Sequence, residues 1–179
     1  MISAGASGIH IEDQVSEKRC GHRPNKEIVS TEEMCDRMKA ARDAMSNDEF
    51  MLMARTDAFA NEGLNGTIER AEKYVEAGAN ALFPEAITSL EDYKTLSDRV
   101  SVPILANITE FGMTPLFKKD ELKKAGISII LHPLSAFRAM SKAALEVYSA
   151  ISKDGSVEKI VEKMQSRDEL YEILDYHTY

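Results

Sequence analysis

The sequence predicts an α/β fold, an incomplete (β/α)8 or TIM barrel with about five β/α units and C-terminal helices. Short apolar runs alternate with stretches of helical periodicity, which is the pattern of β/α units on a parallel sheet. The runs contain few alternating polar residues, as expected for strands that are covered on both faces. After the last run the pattern is purely helical. We therefore expect a single partial barrel domain over residues 1–179, in which residues 136–179 form a helical tail.

Five apolar runs are predicted to be strands. Their lengths are typical of strands, and helical stretches or turn-forming residues separate them. Because each is nearly all apolar, we expect a parallel sheet with helices on its faces. The predicted strands cover residues 8–12, 50–55, 81–84, 103–107 and 127–131.

Helical periodicity fills the segments between and after these strands. Thr31 precedes two glutamates, which is typical of a helix start. Ile68, Ala71 and Val75 fall on one side of a helix at helical spacing. Gly155 follows Asp154 and marks a break between the helices of the tail. The predicted helices cover residues 31–45, 66–77, 89–100, 120–125, 136–152, 157–164 and 168–174.

The composition excludes several classes of function. The chain has 179 residues, 44% of them hydrophobic and 29% charged, so it is expected to bury a core like an ordinary globular domain. Its formal charge of −8 argues against nucleic-acid binding, and no apolar run is long enough to cross a membrane. Cys20 and Cys35 are too few for a disulfide framework, and residues 1–8 do not resemble a signal peptide. We expect a cytoplasmic protein with a small-molecule partner.

Polar residues stand at the end of nearly every predicted strand. In a β/α barrel, catalytic residues come from the carboxyl ends of several strands, so these endings are expected to meet in one mouth. The arginines, the amide and the hydroxyl among them suit carboxylate groups on a substrate. The strand-end residues are Glu12, Asp13, Arg55, Thr56, Asp57, Glu85, Asn107, Thr109, Glu110, His132 and, beyond the last strand, Arg138.

A cysteine among basic residues follows the first predicted strand. Cys20 is flanked by Lys18, Arg19 and His22, whose positive charge would favour its thiolate. Gly21 lets the backbone approach a ligand closely. A lone loop cysteine is more often a small hydrophobic residue, so it is the surrounding cluster that favours an active-site loop.

Four sequence blocks resemble the isocitrate lyase and phosphoenolpyruvate mutase superfamily, and within it the methylisocitrate lyases. They are KRCGH at 18–22, FPEA at 83–86, NITEFG at 107–112 and PLSAFRA at 133–139. The first looks like the lyase motif, whose cysteine the mutases and hydrolases generally lack. The third favours the methylisocitrate lyases over the isocitrate lyases. The resemblance covers essentially the whole chain.

The resemblance implies reversible cleavage of 2-methylisocitrate, a small tricarboxylate, into pyruvate and succinate with the help of Mg²⁺. Cys20 is then the catalytic proton donor, and His22 adjusts its thiol. Glu12 approaches the metal through water. The family's terminal helices can exchange between subunits, which implies a homo-oligomer. The residues implied in substrate binding are Gly21, Arg55, Glu85, Asn107, Thr109, Arg138 and Arg167.

The sequence also departs from the family pattern. It lacks the substrate loop and the D-x-D aspartate pair that the family's first strands supply. A closed barrel takes about 250 residues, so five units are expected to leave an open sheet. We therefore interpret Met1 as an internal methionine of a longer protein, and we expect the 179 residues alone to be inactive.

Several alternatives remain at this point. The chain could be a non-catalytic truncated remnant, or one half of a split enzyme. It could also belong to a related enzyme that cleaves isocitrate or dimethylmalate or decarboxylates oxaloacetate. Phosphonate chemistry of the phosphonomutase type is a further alternative, against which Cys20 argues.

Overall fold

The computed structural model describes residues 1–45 and 49–178. The chain divides into two compact units, Met1–Pro133 and Leu134–Tyr179. The boundary lies close to residue 136, where the helical tail is predicted to begin. The interpretation of the whole chain as one domain stays a prediction.

The first unit has strands at all the positions that the apolar runs predict. The strands are β1 Gly8–Glu12, β2 Met51–Thr56, β3 Ala81–Pro84, β4 Leu105–Asn107 and β5 Ile129–Leu131. β1 and β3 have the predicted bounds, and β2 begins and ends one residue later than predicted. β4 and β5 each begin two residues later than predicted, and in the first of these Ile104 forms an isolated bridge with Leu82.

Neighbouring strands are parallel and follow one another in sequence order. β1 pairs with β2 and β2 with β3, in a register that aligns Glu12 with Arg55 and Arg55 with Phe83. β4 pairs with β5, and the bridge from Leu82 to Ile104 connects the two sheets. This order is that of consecutive units of a (β/α)8 barrel. The prediction of a partial barrel of parallel β/α units is therefore confirmed.

The helices of the first unit begin where the sequence offers caps. The hydroxyl of Ser30 accepts a hydrogen bond from the Glu33 amide, and Ser89 does the same for Asp92. The second helix begins at Phe59, before the predicted start at residue 66, and Gly63, at φ 68°, interrupts its helical backbone. The helices are α1 Thr31–Asp43, α2 Phe59–Glu76, α3 Leu90–Arg99 and α4 Lys119–Lys124.

Successive residues of each strand pack into two different apolar clusters. Leu52 and Ala54 belong to the larger cluster, which also contains the buried side chains of α1 to α4. Met53, Phe83 and Leu105 belong to a smaller cluster on the opposite face of the strands. Since side chains alternate along a strand, this smaller cluster and the strand-end residues in register with it share one face.

A buried polar network joins the ends of β1 and β2 to α2. The carboxylate of Asp13 accepts hydrogen bonds from the Thr56 hydroxyl at 2.7 Å, the Asp57 amide at 2.9 Å and the Tyr74 hydroxyl at 2.9 Å. Arg70 lies 3.6 Å from the same carboxylate and donates to the Tyr74 oxygen. Burial raises the pKa of Asp13 more than these bonds lower it. The network fixes the relative position of the two strand ends.

The second unit is helical. The helix α5 spans Ser135–Asp154 and α6 spans Arg167–Ile173, while Glu158–Lys163, predicted within an α-helix, is a 3-10 helix. Many of its apolar side chains are exposed, Tyr148 and Ile173 among them. Within the described part of the chain, none of the helices has the length and hydrophobicity that crossing a bilayer requires.

Replacing Asp13 with alanine will destabilise the first unit. The change leaves the donors of Thr56, Asp57 and Tyr74 unsatisfied in the interior, so we expect a loss of ~3 kcal/mol in the free energy of unfolding. Urea denaturation measures this loss. The control is Asp36→Ala, because Asp36 is exposed and forms only a 3.9 Å ion pair with Lys39. Equal effects of the two substitutions would contradict the role of the network.

Candidate functional site

Several predicted strand-end residues of the first unit lie at one end of the sheet, whereas His132 is exposed beyond β5. Glu12 ends β1, Arg55 lies near the end of β2, and Asn107 ends β4. Glu85 follows β3 directly and is 1% exposed. Thr109 is buried just beyond Asn107. The parallel register brings these side chains to the same edge, as the sequence predicts.

Arg55 lies at the centre of this cluster. Its Nη2 is 2.9 Å from Oε2 of Glu85, and its Nε is 3.0 Å from Oδ2 of Asp57. Oε2 of Glu12 lies 3.5 Å from the same Nε. The guanidinium carbon is 4.8 Å from the centroid of the Phe83 ring, within the range of a cation–π interaction. One guanidinium group therefore holds three carboxylates together, which its fan of donors allows.

Glu85 is bound from two further sides. Nε2 of His22 is 3.0 Å from Oε1 of Glu85. The side-chain amide of Asn107 donates to both carboxylate oxygens, at 3.2 and 3.3 Å. The backbone amide of Met113 donates to Nδ1 of His22 at 3.0 Å. Since Nδ1 accepts this bond, the ring proton is on Nε2 and points to Glu85.

Burial and ion pairing act in opposite directions on the acids of the cluster. Burial raises the pKa of Asp57, but the hydrogen bond and charge of Arg55 outweigh it and hold that pKa below its usual range. Burial also raises the pKa of Glu85, and the bond from His22 with the charge of Arg55 lowers it by more. Both carboxylates are therefore ionised near neutral pH.

The segment that carries the KRCGH motif packs against this cluster at Gly21. A Cβ atom on Gly21 would lie 2.3 Å from Cγ of Glu85 and 2.6 Å from Nη2 of Arg55. Only glycine fits at this position. Before it, the side-chain amide of Gln14 binds both the backbone nitrogen and the backbone oxygen of Arg19, at 2.8 and 2.9 Å.

Two of the basic residues around Cys20, Lys18 and His22, contact acids of the cluster. Nζ of Lys18 is 2.6 Å from Glu12, and both ring nitrogens of His22 are engaged by Glu85 and Met113. The Cys20 side chain is exposed. His22 therefore contacts the carboxylate cluster, and its predicted effect on the thiol stays a prediction.

Sequence reasoning missed one member of the site, Lys26, and assigned no role to another. Asp57 is among the predicted strand-end residues, and the structure shows its contacts with Arg55 and Lys26. Lys26 is 5% exposed, and Nζ lies 2.5 Å from the Gly21 oxygen and 3.2 Å from Oδ1 of Asp57. A lysine in a polar loop gives no sequence signal of burial, so no pattern could have found it.

Two predicted substrate-binding arginines lie outside the first unit. Arg138 is in the first turn of α5, and Arg167 is the first residue of α6. Both belong to Leu134–Tyr179. Their role in binding stays a prediction.

Two oxygens of the cluster suit a metal ion. Oε1 of Glu12 is buried without a hydrogen-bond partner, as is Oδ1 of Asn107. Oxygen ligands of this kind suit Mg²⁺. Over residues 1–45 and 49–178, however, no group of three or more His, Cys, Asp or Glu side chains could hold a metal ion. Glu12 therefore fits one contributing ligand, and the described residues do not complete a site.

Comparison with known proteins identifies the family. The profile of the family described as phosphoenolpyruvate phosphomutase matches residues 1–152. The chain belongs to this family. The superfamily resemblance carried by the four sequence blocks is thereby confirmed.

Individual relatives agree with this assignment. The 2-methylisocitrate lyase of Escherichia coli strain K12 is 60% identical over 179 residues, which are 100% of this chain and 60% of that protein. The crystal structure of 2,3-dimethylmalate lyase, described as a PEP mutase/isocitrate lyase superfamily member, matches with a TM-score of 0.85 and 31% identity. This match covers 98% of this chain and 60% of that chain. Phosphonopyruvate hydrolase in complex with oxalate and Mg²⁺ matches with a TM-score of 0.79 and 25% identity, over 99% and 62% of the two chains. The chain thus spans about 60% of the length of these relatives.

Replacing Glu85 with glutamine will reduce the loss in the free energy of unfolding that acidification causes. Because the pKa of Glu85 is lower in the folded chain than in the unfolded chain, its ionised form stabilises the fold above the unfolded-state pKa. This contribution is lost as the pH falls through the folded-state pKa. Urea denaturation at pH values from about 6 to about 3 measures the free energy of unfolding of both proteins.

The wild type should lose more free energy of unfolding than the variant over that range. Because the pKa of Asp13 is raised in the folded chain, this residue makes the free energy of unfolding change with pH in the opposite direction. Its contribution is the same in both proteins and cancels when they are compared. Parallel curves would show that Glu85 is not stabilised as an anion.

Proposed function

We propose that this chain carries active-site residues of a 2-methylisocitrate lyase, which cleaves 2-methylisocitrate into pyruvate and succinate. One observation carries the proposal: the segment with Gly21 and the neighbouring cysteine packs against the carboxylates that Arg55 contacts. The 60% identity to a protein named 2-methylisocitrate lyase supports the choice of substrate.

The reaction needs a proton donor and positive charge. Cleavage transfers the proton of the substrate hydroxyl to water or another base, converts that carbon to the carbonyl of pyruvate, and leaves the bonding electron pair on a carbon of succinate. Cys20 donates the proton to that carbon, as an exposed thiol that a substrate can reach. Cations around the substrate carboxylates stabilise the negative charge that develops.

Arg55 binds one substrate carboxylate. In the structure its guanidinium group is shared among protein carboxylates, and each of the two closest has a second cation or donor. Glu85 is bound by His22 and Asn107, and Asp57 is bound by Lys26. These partners keep both acids compensated when the guanidinium group turns towards a substrate.

The other binding roles follow the same chemistry. The Gly21 amide, the Asn107 side chain and the Thr109 hydroxyl supply hydrogen bonds to substrate oxygens. The resemblance also implies that Arg138 and Arg167, in the second unit, bind substrate carboxylates.

Magnesium belongs to this proposal as the cofactor. Glu12 would hold it through water, and its Oε1, which is buried without a hydrogen-bond partner, is the oxygen that would do so. When bound, Mg²⁺ supplies positive charge to the substrate oxygens. Phosphonopyruvate hydrolase, a structural relative, is described in complex with Mg²⁺ and oxalate. The proposal also includes a cytoplasmic location and a homo-oligomer.

Substitution of Cys20 tests the proposed acid. The test protein is a chimera in which this chain replaces its 60% of the Escherichia coli relative. With Mg²⁺ present, we expect the chimera to form pyruvate from 2-methylisocitrate, and Cys20→Ser to lower the turnover rate by at least about a hundredfold. The matched control is Cys35→Ser, because Cys35 lies on α1 and packs against the apolar core.

Other outcomes would overturn parts of the proposal. An inactive, folded chimera would exclude the proposed reaction for these residues. Faster cleavage of isocitrate or 2,3-dimethylmalate, or conversion of a phosphonate, would change the substrate. Equal losses for the two cysteine variants would remove Cys20 from the acid role.

A further inference from the structure

We infer that Lys26 is a positioning residue that anchors the segment with Cys20 and His22 on the end of β2. The importance of this segment rests on the proposed function. The ammonium group of Lys26 contacts the Gly21 backbone oxygen and the Asp57 carboxylate, and neither is a side chain that is predicted to bind substrate. The Lys26 side chain is 1% exposed, so the ammonium group is fully removed from water.

The ammonium group makes two contacts that differ in kind. Nζ donates to the backbone oxygen of Gly21 at 2.5 Å, which closes the turn between these residues. It also lies 3.2 Å from Oδ1 of Asp57, whose side chain is 0% exposed. The first contact fixes the shape of the segment, and the second fixes its position on the sheet.

The backbone of Lys26 is held as well. The side-chain amide of Asn61, from the first turns of α2, donates to the Lys26 oxygen at 3.0 Å. The ammonium group therefore reaches Asp57 from a fixed starting point. Together with the close fit of Gly21 against Glu85 and Arg55, this places the segment within a narrow range of positions.

Loss of the Lys26–Asp57 contact would destabilise the structure around Asp57. Removal of one partner from a buried ion pair leaves the other as an uncompensated buried charge. Asp57 would then lose the charge of Lys26 and keep that of Arg55. The segment would lose its tie to β2, and Arg55 would be less able to release Asp57 for a substrate carboxylate.

The experiment replaces Lys26 with methionine in the 179-residue chain and measures amide hydrogen exchange by mass spectrometry. We expect exchange over residues 19–26 to accelerate by at least about tenfold, while residues 81–84 in β3 keep their rate. The matched control is Lys39→Met, since Lys39 is exposed on α1. Unchanged exchange over 19–26, or an equal acceleration over 81–84, would overturn the inference.

A second measurement uses the unchanged protein, in case the variant does not fold. Brief treatment with acetic anhydride labels lysines according to their exposure. We expect Lys26 to be labelled at least about tenfold more slowly than Lys39, at a rate that matches exchange over residues 19–26. Equal labelling rates would overturn the anchoring role. Neither measurement uses turnover, so a failure here is distinguishable from a failure of the proposed function.

Discussion

Charge compensation among buried carboxylates is the constraint on which the candidate site depends. Asp57 and Glu85 are almost completely buried, and each would be expensive as an isolated anion. Arg55 contacts both, Lys26 adds a second cation to Asp57, and His22 adds a donor to Glu85. The acids stay ionised because every one of them has partners. A charged site of this kind can bind an anionic substrate only by exchanging one set of partners for another.

A second buried network supports the first. Asp13 accepts a hydrogen bond from the backbone amide of Asp57, so the residue that faces Arg55 is held at its backbone by the preceding strand. Tyr74 and Arg70 connect the same acid to α2. The helix layer and the strand ends are thus coupled through one carboxylate. Groups held by packing and by second partners keep the geometry that chemistry at a site requires.

Membership of the phosphoenolpyruvate phosphomutase family does not fix the reaction. Proteins named lyase and hydrolase both match this chain structurally. Recognition of carboxylates by the strand-end cluster belongs to the proposed function and does not distinguish these reactions. In that proposal the Cys20 segment determines the type of reaction, and the contacts of Gly21 and Lys26 connect the segment to the cluster.

The sequence by itself determined the order of β/α units, the parallel sheet and most of the cluster, because apolar runs and strand-end polar residues such as Glu12 and Arg55 are local signals. It predicted an α-helix where Glu158–Lys163 is a 3-10 helix, since short helices depend on packing more than on periodicity. Only the tertiary structure decided which cations the acids share. Lys26 is distant from Asp57 in the chain, and its burial follows from how the loop folds back on β2. No local pattern encodes a contact of that kind.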